Sequence, residues 1–182
     1  MKPTPIQAQS LPYTLKGKDI IALAETGSGK TLAFALPILQ SLLKKPTNYY
    51  SLILAPTREL CVQIADHFKA IGRSIGLRVA TIIGGLDLKD EIKSISNNPH
   101  IVVGTPGKIV YHMENTKAYH YKNTKYFVMD EADQLLSLNF EREINKIVEA
   151  LPINRNTFLF SATMTNKVEK LERASLNDPV RV

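Results

Sequence analysis

Residues 20–31 read Ile-Ile-Ala-Leu-Ala-Glu-Thr-Gly-Ser-Gly-Lys-Thr and contain the strongest structural signal in the chain. A short apolar run, which suits a buried strand, leads into a glycine-rich stretch. Glycines let backbone N–H groups turn toward phosphate oxygens, Lys30 supplies a cation for β- and γ-phosphates, and the Thr31 hydroxyl can ligate Mg²⁺. The pattern predicts a phosphate-binding loop between a strand and a helix, formed by Ala24, Glu25, Thr26, Gly27, Ser28, Gly29, Lys30 and Thr31.

Ala24 stands where the usual loop pattern has its first glycine, so the match is to a variant form. The alternative is a glycine turn that only joins a strand to a helix. Gly-Lys-Thr in this context is hard to obtain by chance, which favours the phosphate-binding loop. A helix is expected over residues 30–43, with a kink near Pro37 and one apolar stripe that comprises Leu32, Leu36, Leu39 and Leu43.

Five further apolar runs follow along the chain, and each ends abruptly in a glycine, a proline or a polar residue. The six runs occupy residues 20–23, 52–55, 79–83, 101–103, 127–129 and 158–160. They lack the alternation of half-buried strands, which indicates strands buried on both faces of a parallel sheet. Helical spacing recurs between them, at Leu60 to Ile75 and over residues 140–151. The order predicts an α/β, doubly wound, mostly parallel sheet with helices on both faces, which binds ligands at the carboxyl ends of its strands.

Acidic residues follow the fifth apolar run, where Asp130-Glu131-Ala132-Asp133 begins as the strand leaves the sheet. Phosphoryl transfer needs a carboxylate near Mg²⁺ and a second group that orients the attacking water, and Asp130 and Glu131 suit these roles. Alone, such a cluster is more often a helix N-terminus that complements the helix dipole. Together with the loop at Lys30, on the same sheet edge, it predicts a phosphoryl-transfer site.

The composition fits one soluble domain over residues 1–182, with 44% hydrophobic and 22% charged residues. No apolar stretch is long enough for a membrane span, so no membrane association is expected. The single cysteine, Cys61, cannot form an intramolecular disulfide, and an intracellular, reducing compartment is the default. Cys61 lies near the apolar stripe of its helix and is expected in the core. The net charge of +6 carries no long basic tract, so charge alone does not establish a nucleic-acid partner.

With these clusters placed, the whole chain resembles the first RecA-like P-loop NTPase domain of the DEAD-box ATP-dependent RNA helicases. Besides the loop and the acidic tetrad, Thr4-Pro5-Ile6-Gln7 is similar to the end of the family's Q motif. Four later segments are similar to motif Ia, the glycine doublet, motif Ib and motif III: Pro56-Thr57-Arg58-Glu59-Leu60, Gly84-Gly85, Thr105-Pro106-Gly107-Lys108 and Ser161-Ala162-Thr163.

The resemblance implies roles for these residues. ATP and Mg²⁺ are the implied cofactors. Thr31 and Asp130 hold the metal, Asp130 through water, while Glu131 polarises the hydrolytic water and Gln7 reads the adenine edge. Hydroxyls of motif III, Ser161 and Thr163, contact Asp133 and couple the nucleotide state to RNA. RNA is bound through its backbone, without base readout, by Pro56, Thr57, Arg58, Gly84, Gly85, Thr105, Pro106, Gly107 and Lys108.

Lys108 stands where the family usually has arginine, so a bidentate phosphate contact becomes a point-charge contact. Taken singly, Gly84-Gly85 suits a plain turn and Thr105-Pro106-Gly107 a helix start, but at successive strand ends they favour RNA binding.

In the family a second RecA-like domain completes the enzyme, so the isolated domain is expected to be largely inactive. The chain most resembles the eukaryotic members that act in pre-ribosomal RNA processing, which implies a nuclear or nucleolar location and ribosome-assembly proteins as partners. An ATP-gated RNA clamp with negligible unwinding needs the same site and stays open as an alternative. A P-loop ATPase unrelated to RNA would leave the Pro56 and Thr105 segments without a role.

Overall fold

Seven strands form one sheet in the computed structural model, which describes residues 2–182. In chain order the strands are β1 (Ile20–Leu23), β2 (Ser51–Leu54), β3 (Val79–Ile82), β4 (Ile101–Gly104), β5 (Tyr126–Met129), β6 (Asn156–Ser161) and β7 (Val180–Arg181). The order across the sheet is β3-β4-β2-β5-β6-β1-β7, and every neighbouring pair is parallel. All strands therefore end at the same edge, which we call the carboxyl edge.

Helices connect the strands and cover both faces of the sheet. They are α1 (Pro5–Thr14), α2 (Lys30–Lys44), α3 (Arg58–Ile71), α4 (Leu88–Ser96), α5 (Pro106–Asn115), α6 (Ala132–Ser137), α7 (Glu141–Ala150) and α8 (Asn166–Ser175). Short 3-10 turns lie at Arg73–Ile75 and Tyr121–Asn123. No helix within residues 2–182 has both the length and the apolar composition that crossing a membrane requires.

The core consists of two apolar layers, one on each side of the sheet. Helices α1, α2 and α3 contribute side chains such as Phe34 and Phe68 to one layer. Helices α4 to α8 contribute side chains such as Ile109 and Ile144 to the other. Cys61 is fully buried in the first layer, as expected. The predicted α/β sheet with helices on both faces is confirmed, because its strands carry apolar side chains toward both layers.

The predicted leucine stripe of α2 is wrong as a core-facing stripe. Leu32, Leu36 and Leu43 are 37%, 39% and 58% exposed, and only Leu39 of the four is buried. The residues of α2 that enter the apolar core are Ala33, Phe34, Ala35, Ile38, Leu39 and Leu42, while Lys30 is buried at the carboxyl edge. Because α2 is apolar on most sides, residue spacing does not show which stripe faces the sheet.

One boundary and two short elements also differ from expectation. Helix α3 ends at Ile71, because Gly72 caps it, so Ile75 lies beyond the helix and is exposed. Helix α1 was not predicted, although Pro5 at its first position after Thr4 is a recognised start signal. Strand β7 was also not predicted, because two residues are too short to give a periodic signal.

Candidate functional site

The strand order separates the sequence-predicted site residues into two groups along the carboxyl edge. The phosphate-loop half comprises the segments after β5, β6 and β1, namely residues 130–133, 161–163 and 24–31. The turn half comprises the segments after β3, β4 and β2, namely residues 84–85, 105–108 and 56–58. Since β2 and β5 are neighbours, the two halves adjoin on one edge.

The glycine-rich loop wraps around the start of α2. Gly27 and Gly29 have φ angles of +81° and +87°, a left-handed conformation that glycine adopts without strain. Gly29 is the N-cap of α2, so the first N–H groups of a 15-residue helix are directed at the space in front of the loop. Unpaired N–H groups and the positive end of the helix dipole make this space an anion site.

Lys30 joins the loop to the acidic cluster. Its Nζ lies 3.0 Å from Asp130 Oδ1 and 3.6 Å from Glu131 Oε1. The Thr26 hydroxyl donates a hydrogen bond of 3.1 Å to the same Glu131 oxygen. One buried cation therefore balances two carboxylates that lie after another strand, and the sequence-predicted residues Thr26, Lys30, Asp130 and Glu131 meet in one cluster.

Asp130 is the most deeply buried member of this cluster, with no exposed surface. Burial raises the pKa of its carboxyl, and the Lys30 ammonium opposes that shift. Glu131 has a φ of +51°, a left-handed conformation that is rare for a side chain other than glycine. The backbone turn at Glu131 lets its carboxylate reach Lys30 and Thr26 instead of following the strand direction.

The oxygen atoms around Asp130 fit a hard divalent cation. Asp130 Oδ2 is buried and has no hydrogen-bond partner within residues 2–182, so one carboxylate oxygen is free to accept a metal or a metal-bound water. A carboxylate and the Thr31 hydroxyl are the ligand types that Mg²⁺ prefers. In the described part of the chain, no group of three His, Cys, Asp or Glu side chains forms a metal site by itself.

Gln7 on α1 contacts the loop from the side. Its Nε2 donates to the Gly29 carbonyl at 3.0 Å, and its Oε1 accepts the Thr4 N–H at 3.0 Å. A Cβ placed on Gly29 would come within 2.8 Å of Gln7 Nε2, so the glycine also provides the room for this contact. Gln7 therefore holds the turn that precedes α2.

Ser161, at the end of β6, bridges the other two segments of the phosphate-loop half. Its carbonyl accepts the Ala24 N–H at 2.9 Å, and its hydroxyl accepts the Asp133 N–H at 3.2 Å and donates to the Thr163 carbonyl at 2.8 Å. The Thr163 hydroxyl donates to Asp133 Oδ2 at 2.9 Å. Strand β6 lies between β5 and β1, which explains why its last residue can contact both segments.

A cavity of about 450 Å³ opens above the cluster. Its floor is formed by Thr26, Gly27, Gly29, Lys30, Thr31, Asp130 and Glu131, and its wall by Leu32, Leu60, Gln63, His67, Ala70 and Ile71. The volume is in the range of pockets that hold small ligands. The wall residues were not predicted, because Leu32 and Leu60 were assigned to apolar stripes by their spacing.

The turn half presents backbone groups and two threonines. Thr57 caps α3 by accepting the Leu60 N–H at 3.2 Å, so its hydroxyl proton remains available to a ligand. Thr105 is the N-cap of α5, and Gly107 is exposed in the first turn of that helix. Two helix N-termini and exposed turns suit phosphate oxygens and carry no pattern that reads bases.

Arg58 and Gly85 lie against each other across the turn half. Gly85 has a φ of +87°, and a Cβ placed there would come within 2.7 Å of both terminal nitrogens of Arg58. The guanidinium therefore occupies the space of a missing side chain. The adjacent Gly84 is different, since it lacks a positive φ and its Cβ would meet nothing within 4 Å.

Three predicted residues of the turn half are engaged in the protein itself. Pro56 and Pro106 are buried, so any phosphate contact there falls to the neighbouring Thr57 and Gly107. The Lys108 ammonium lies 2.7 Å from Glu91 Oε2. Sequence reasoning missed Glu91, because an acidic pair in the first turn of α4 is the ordinary pattern of a helix start.

Known proteins match both the sequence and the fold. Residues 4–171 match a family model described as DEAD/DEAH box helicase. Curated relatives include the ATP-dependent rRNA helicase RRP3 of Candida albicans, which is 58% identical over 181 residues, 100% of this chain and 34% of the relative. The same-named protein of Yarrowia lipolytica is 56% identical and is covered over 38% of its length. The chain thus spans little more than a third of these relatives.

Among solved structures, a DEAD box protein from Methanococcus jannaschii superposes with a TM-score of 0.89 at 38% identity. The alignment covers 99% of this chain and 49% of that one.

Proposed function

The chain belongs to the DEAD/DEAH box helicase family, and on that premise we propose that it is the ATP-binding domain of an ATP-dependent RNA helicase that acts in ribosomal RNA processing. Its fold is the RecA-like fold that the resemblance implied. The observation that carries the proposal is the cluster in which Lys30 lies between Asp130 and Glu131 under a glycine loop. A cation, two carboxylates and free helix N–H groups at one point suit the binding and cleavage of a triphosphate.

Lys30 performs two alternative tasks in this proposal. Without nucleotide it neutralises Asp130 and Glu131, and with ATP bound it exchanges these carboxylates for phosphate oxygens. Asp130, through water, and the Thr31 hydroxyl would hold the Mg²⁺ that accompanies ATP, since Asp130 Oδ2 has no other partner within residues 2–182. When bound, Mg²⁺ neutralises charge on the phosphates.

Glu131 is the residue we assign to the hydrolytic water. Thr26 fixes one of its oxygens, so the carboxylate keeps its position when Lys30 changes partners. A carboxylate held in this way orients water and accepts its proton as the water oxygen bonds to the γ-phosphorus and the bond from that phosphorus to the departing ADP oxygen breaks. Loss of the Glu131 charge therefore removes turnover while the loop still binds ATP.

Gln7 is the residue we assign to the choice of base. Each polar atom of its amide makes one contact within the protein, which leaves one N–H and one oxygen lone pair. Adenine offers a donor at N6 and an acceptor at N7, which match that pair, whereas guanine offers two acceptors. ATP is therefore preferred to GTP.

The turn half is the surface we assign to RNA. Thr57, Arg58, Gly85, Thr105 and Gly107 present hydroxyl, guanidinium and N–H groups that bind phosphates without reading bases. Single-stranded RNA of any sequence is the proposed ligand. Ser161 and Thr163 connect Asp133 to Ala24, and we assign to them the coupling between RNA binding and hydrolysis.

The cellular role follows from the named relatives. RRP3 proteins are described as ATP-dependent rRNA helicases, so we place this chain in ribosomal RNA processing, in the nucleus or nucleolus, beside ribosome-assembly proteins. We assign residues 1–182 to the first RecA-like domain, and a second RecA-like domain of the full-length protein to completing the site. The short coverage of the relatives supports this arrangement.

The test uses the full-length protein and three variants. Lys30→Ala should abolish ATP binding, and Glu131→Gln should bind ATP but lose RNA-stimulated hydrolysis. Glu149→Gln, an exposed change on α7 that lines neither the cavity nor the turn half, should hydrolyse ATP like the unaltered protein. ATPase and strand-displacement rates are measured side by side. Hydrolysis that RNA does not stimulate, or that Glu131→Gln retains, would contradict the proposed function.

A further inference from the structure

A second cluster of charged and polar side chains lies beside the turn half and includes its residue Lys108. At its centre is Glu91 on α4, which is 1% exposed. Its Oε2 forms an ion pair with Lys108 Nζ at 2.7 Å and accepts a hydrogen bond from His112 Nε2 at 3.0 Å. The other ring nitrogen of His112, Nδ1, forms a hydrogen bond of 2.8 Å with the Thr116 hydroxyl. We call these four residues the Glu91 cluster.

The Glu91 carboxylate depends on these partners. Its other oxygen, Oε1, is buried and has no hydrogen-bond partner within residues 2–182. A buried carboxylate without a cation is strongly unfavourable, so the Lys108 ammonium serves first to neutralise Glu91. Only 29% of the Lys108 side chain is exposed. The positive charge of Lys108 is therefore already balanced inside the protein.

The location of the cluster suggests its role. Glu91 lies six residues after Gly85, and Lys108 directly follows Gly107. Helix α4 packs mainly on β3 and helix α5 mainly on α7. Within the described residues, every hydrogen bond or ion pair between α4 and α5 is made by Glu91. The cluster thus joins the two turns that, by the proposed function, bind RNA phosphates.

We propose that the Glu91 cluster sets the spacing of the Gly85 and Gly107 turns, and that Lys108 acts on RNA through Glu91 and makes no phosphate contact of its own. Glu91, Lys108 and His112 are positioning residues in this assignment. The inference rests on the proposed function, since it assumes that the turn half binds RNA. It differs from the expectation that the resemblance gave for Lys108, which was a direct point-charge contact.

The dependence of RNA affinity on salt separates the two roles. Each phosphate that a protein cation neutralises on a single strand contributes about 0.7 to the slope of log affinity against log salt concentration. A residue that contacts phosphate lowers this slope when its charge is removed. A residue that only positions a turn weakens binding at every salt concentration and leaves the slope unchanged.

The experiment measures binding of a fluorescent single-stranded RNA of mixed sequence by the full-length protein, with a non-hydrolysable ATP analogue, over a range of salt concentrations. Lys108→Met should weaken binding about fivefold, or roughly 1 kcal/mol, at an unchanged slope. Glu91→Gln should also weaken RNA binding. The double variant should have an RNA affinity no lower than that of the single variant that binds less tightly. Lys108→Arg should restore affinity, because a guanidinium reaches the same carboxylate.

Arg58→Met is the matched variant that shows how a lost phosphate contact appears. It should lower the magnitude of the slope by about 0.7. If Arg58→Met and Lys108→Met both lower the slope, the inference is overturned and the proposed function stands. If the protein does not bind RNA, or Arg58→Met leaves the slope unchanged, the proposed function fails and the inference falls with it.

Two further readouts distinguish positioning from a loss of folding. In ATPase assays, Lys108→Met should raise the KM for RNA while kcat and the KM for ATP stay as they were. Urea unfolding of Glu91→Gln, Lys108→Met and the double variant should show coupling between the two residues, whether or not RNA is present. Independent effects of the two changes on unfolding, or a Lys108→Met variant with unaltered RNA affinity, would overturn the inference.

Discussion

Each half of the carboxyl edge contains a lysine paired with a fully buried carboxylate, and the two pairs differ in what surrounds them. Lys30 contacts Asp130 at 3.0 Å, and Lys108 contacts Glu91 at 2.7 Å. Both carboxylates keep one buried oxygen without a partner in residues 2–182. The first pair opens into a cavity and has a second carboxylate beside it, whereas the second pair is closed by a histidine.

This difference shows how one pair of residue types serves two purposes. A pair that faces a cavity can exchange partners with a ligand, so its charges act in binding and chemistry. In the second pair Lys108 and His112 hold the same Glu91 oxygen between two helices, so its charges hold the backbone in place. The phosphate-loop half therefore combines loop N–H groups with an exchangeable ion pair, whereas in the further inference the ion pair of the turn half only positions the groups that bind phosphate.

The largest expected difference between the halves is in the free energy of unfolding. Lys30→Met leaves Asp130 and Glu131 without a cation, and breaking a buried pair in this way costs about 3–5 kcal/mol. Lys108→Met should cost only about 1–3 kcal/mol, because His112 still donates to Glu91. Urea unfolding of the domain measures both. Equal losses would contradict the view that the two pairs differ in their surroundings.

The Lys30→Met loss should also depend on pH. Burial raises the pKa of Asp130, so the stability contributed by its protonated form is present at low pH and is lost as pH rises through the folded-state pKa. Without Lys30 that pKa rises further, and the variant should be relatively more stable at pH 5 than at pH 8. A loss that is independent of pH would show that Asp130 stays ionised without its lysine.

Two glycines with the same φ of +87°, one in each half, allow a matched pair of alanine substitutions. Gly29→Ala would press on Gln7, and Gly85→Ala would press on Arg58, each with a backbone strain of about 1–2 kcal/mol. We expect Gly29→Ala to weaken ATP binding alone and Gly85→Ala to weaken RNA binding alone, as measured by titration of each ligand. Gly84→Ala, which has open space and no positive φ, should change neither.

A smaller effect is expected at Ser161, where the segments after β5 and β1 meet. Ser161→Ala removes two hydrogen bonds, one from the Asp133 N–H and one to the Thr163 carbonyl, at a cost of about 1–2 kcal/mol in stability. ATP binding should persist, because Ser161 does not line the cavity, while RNA stimulation of hydrolysis should fall. RNA stimulation equal to that of the unaltered protein would show that the hydrogen bonds of Ser161 do not couple RNA binding to hydrolysis.

The sequence predicted the phosphate-loop half better than the turn half, for a physical reason. Lys30, Asp130 and Glu131 are chemically specific residue types at strand ends, and a parallel sheet brings strand ends together. The buried strands were equally predictable, because an apolar run without alternation indicates a strand that is buried on both faces. The architecture, and the proximity of the acidic cluster to the glycine-rich loop, could therefore be predicted from the sequence alone.

What the sequence did not predict depends on packing between distant segments. Glu91 has the local pattern of an exposed helix start, and its burial depends on α5 lying beside α4. The leucines of α2 have helical spacing, but the face that meets the sheet is set by the neighbouring helices. Gln7 was assigned to the base by resemblance, and its contact with Gly29 follows only from the position of α1.

The last prediction concerns Cys61 on α3, which reports on the scaffold behind the turn half. It is fully buried on α3, four residues after Thr57, and burial raises its pKa to about 12 from 9.0. The stability contributed by its protonated thiol is present below pH 9 and is lost as pH approaches 12.

At pH 8 an aromatic disulfide reagent should label the native thiol of Cys61 about a thousandfold more slowly than the same thiol unfolded in urea, because thiolate is the reactive form. The chain has one cysteine, so the signal has one source. Rapid labelling of the native protein would mean that α3 opens locally, and the turn half would then lack the fixed scaffold that distinguishes it from the exchangeable pair at Lys30.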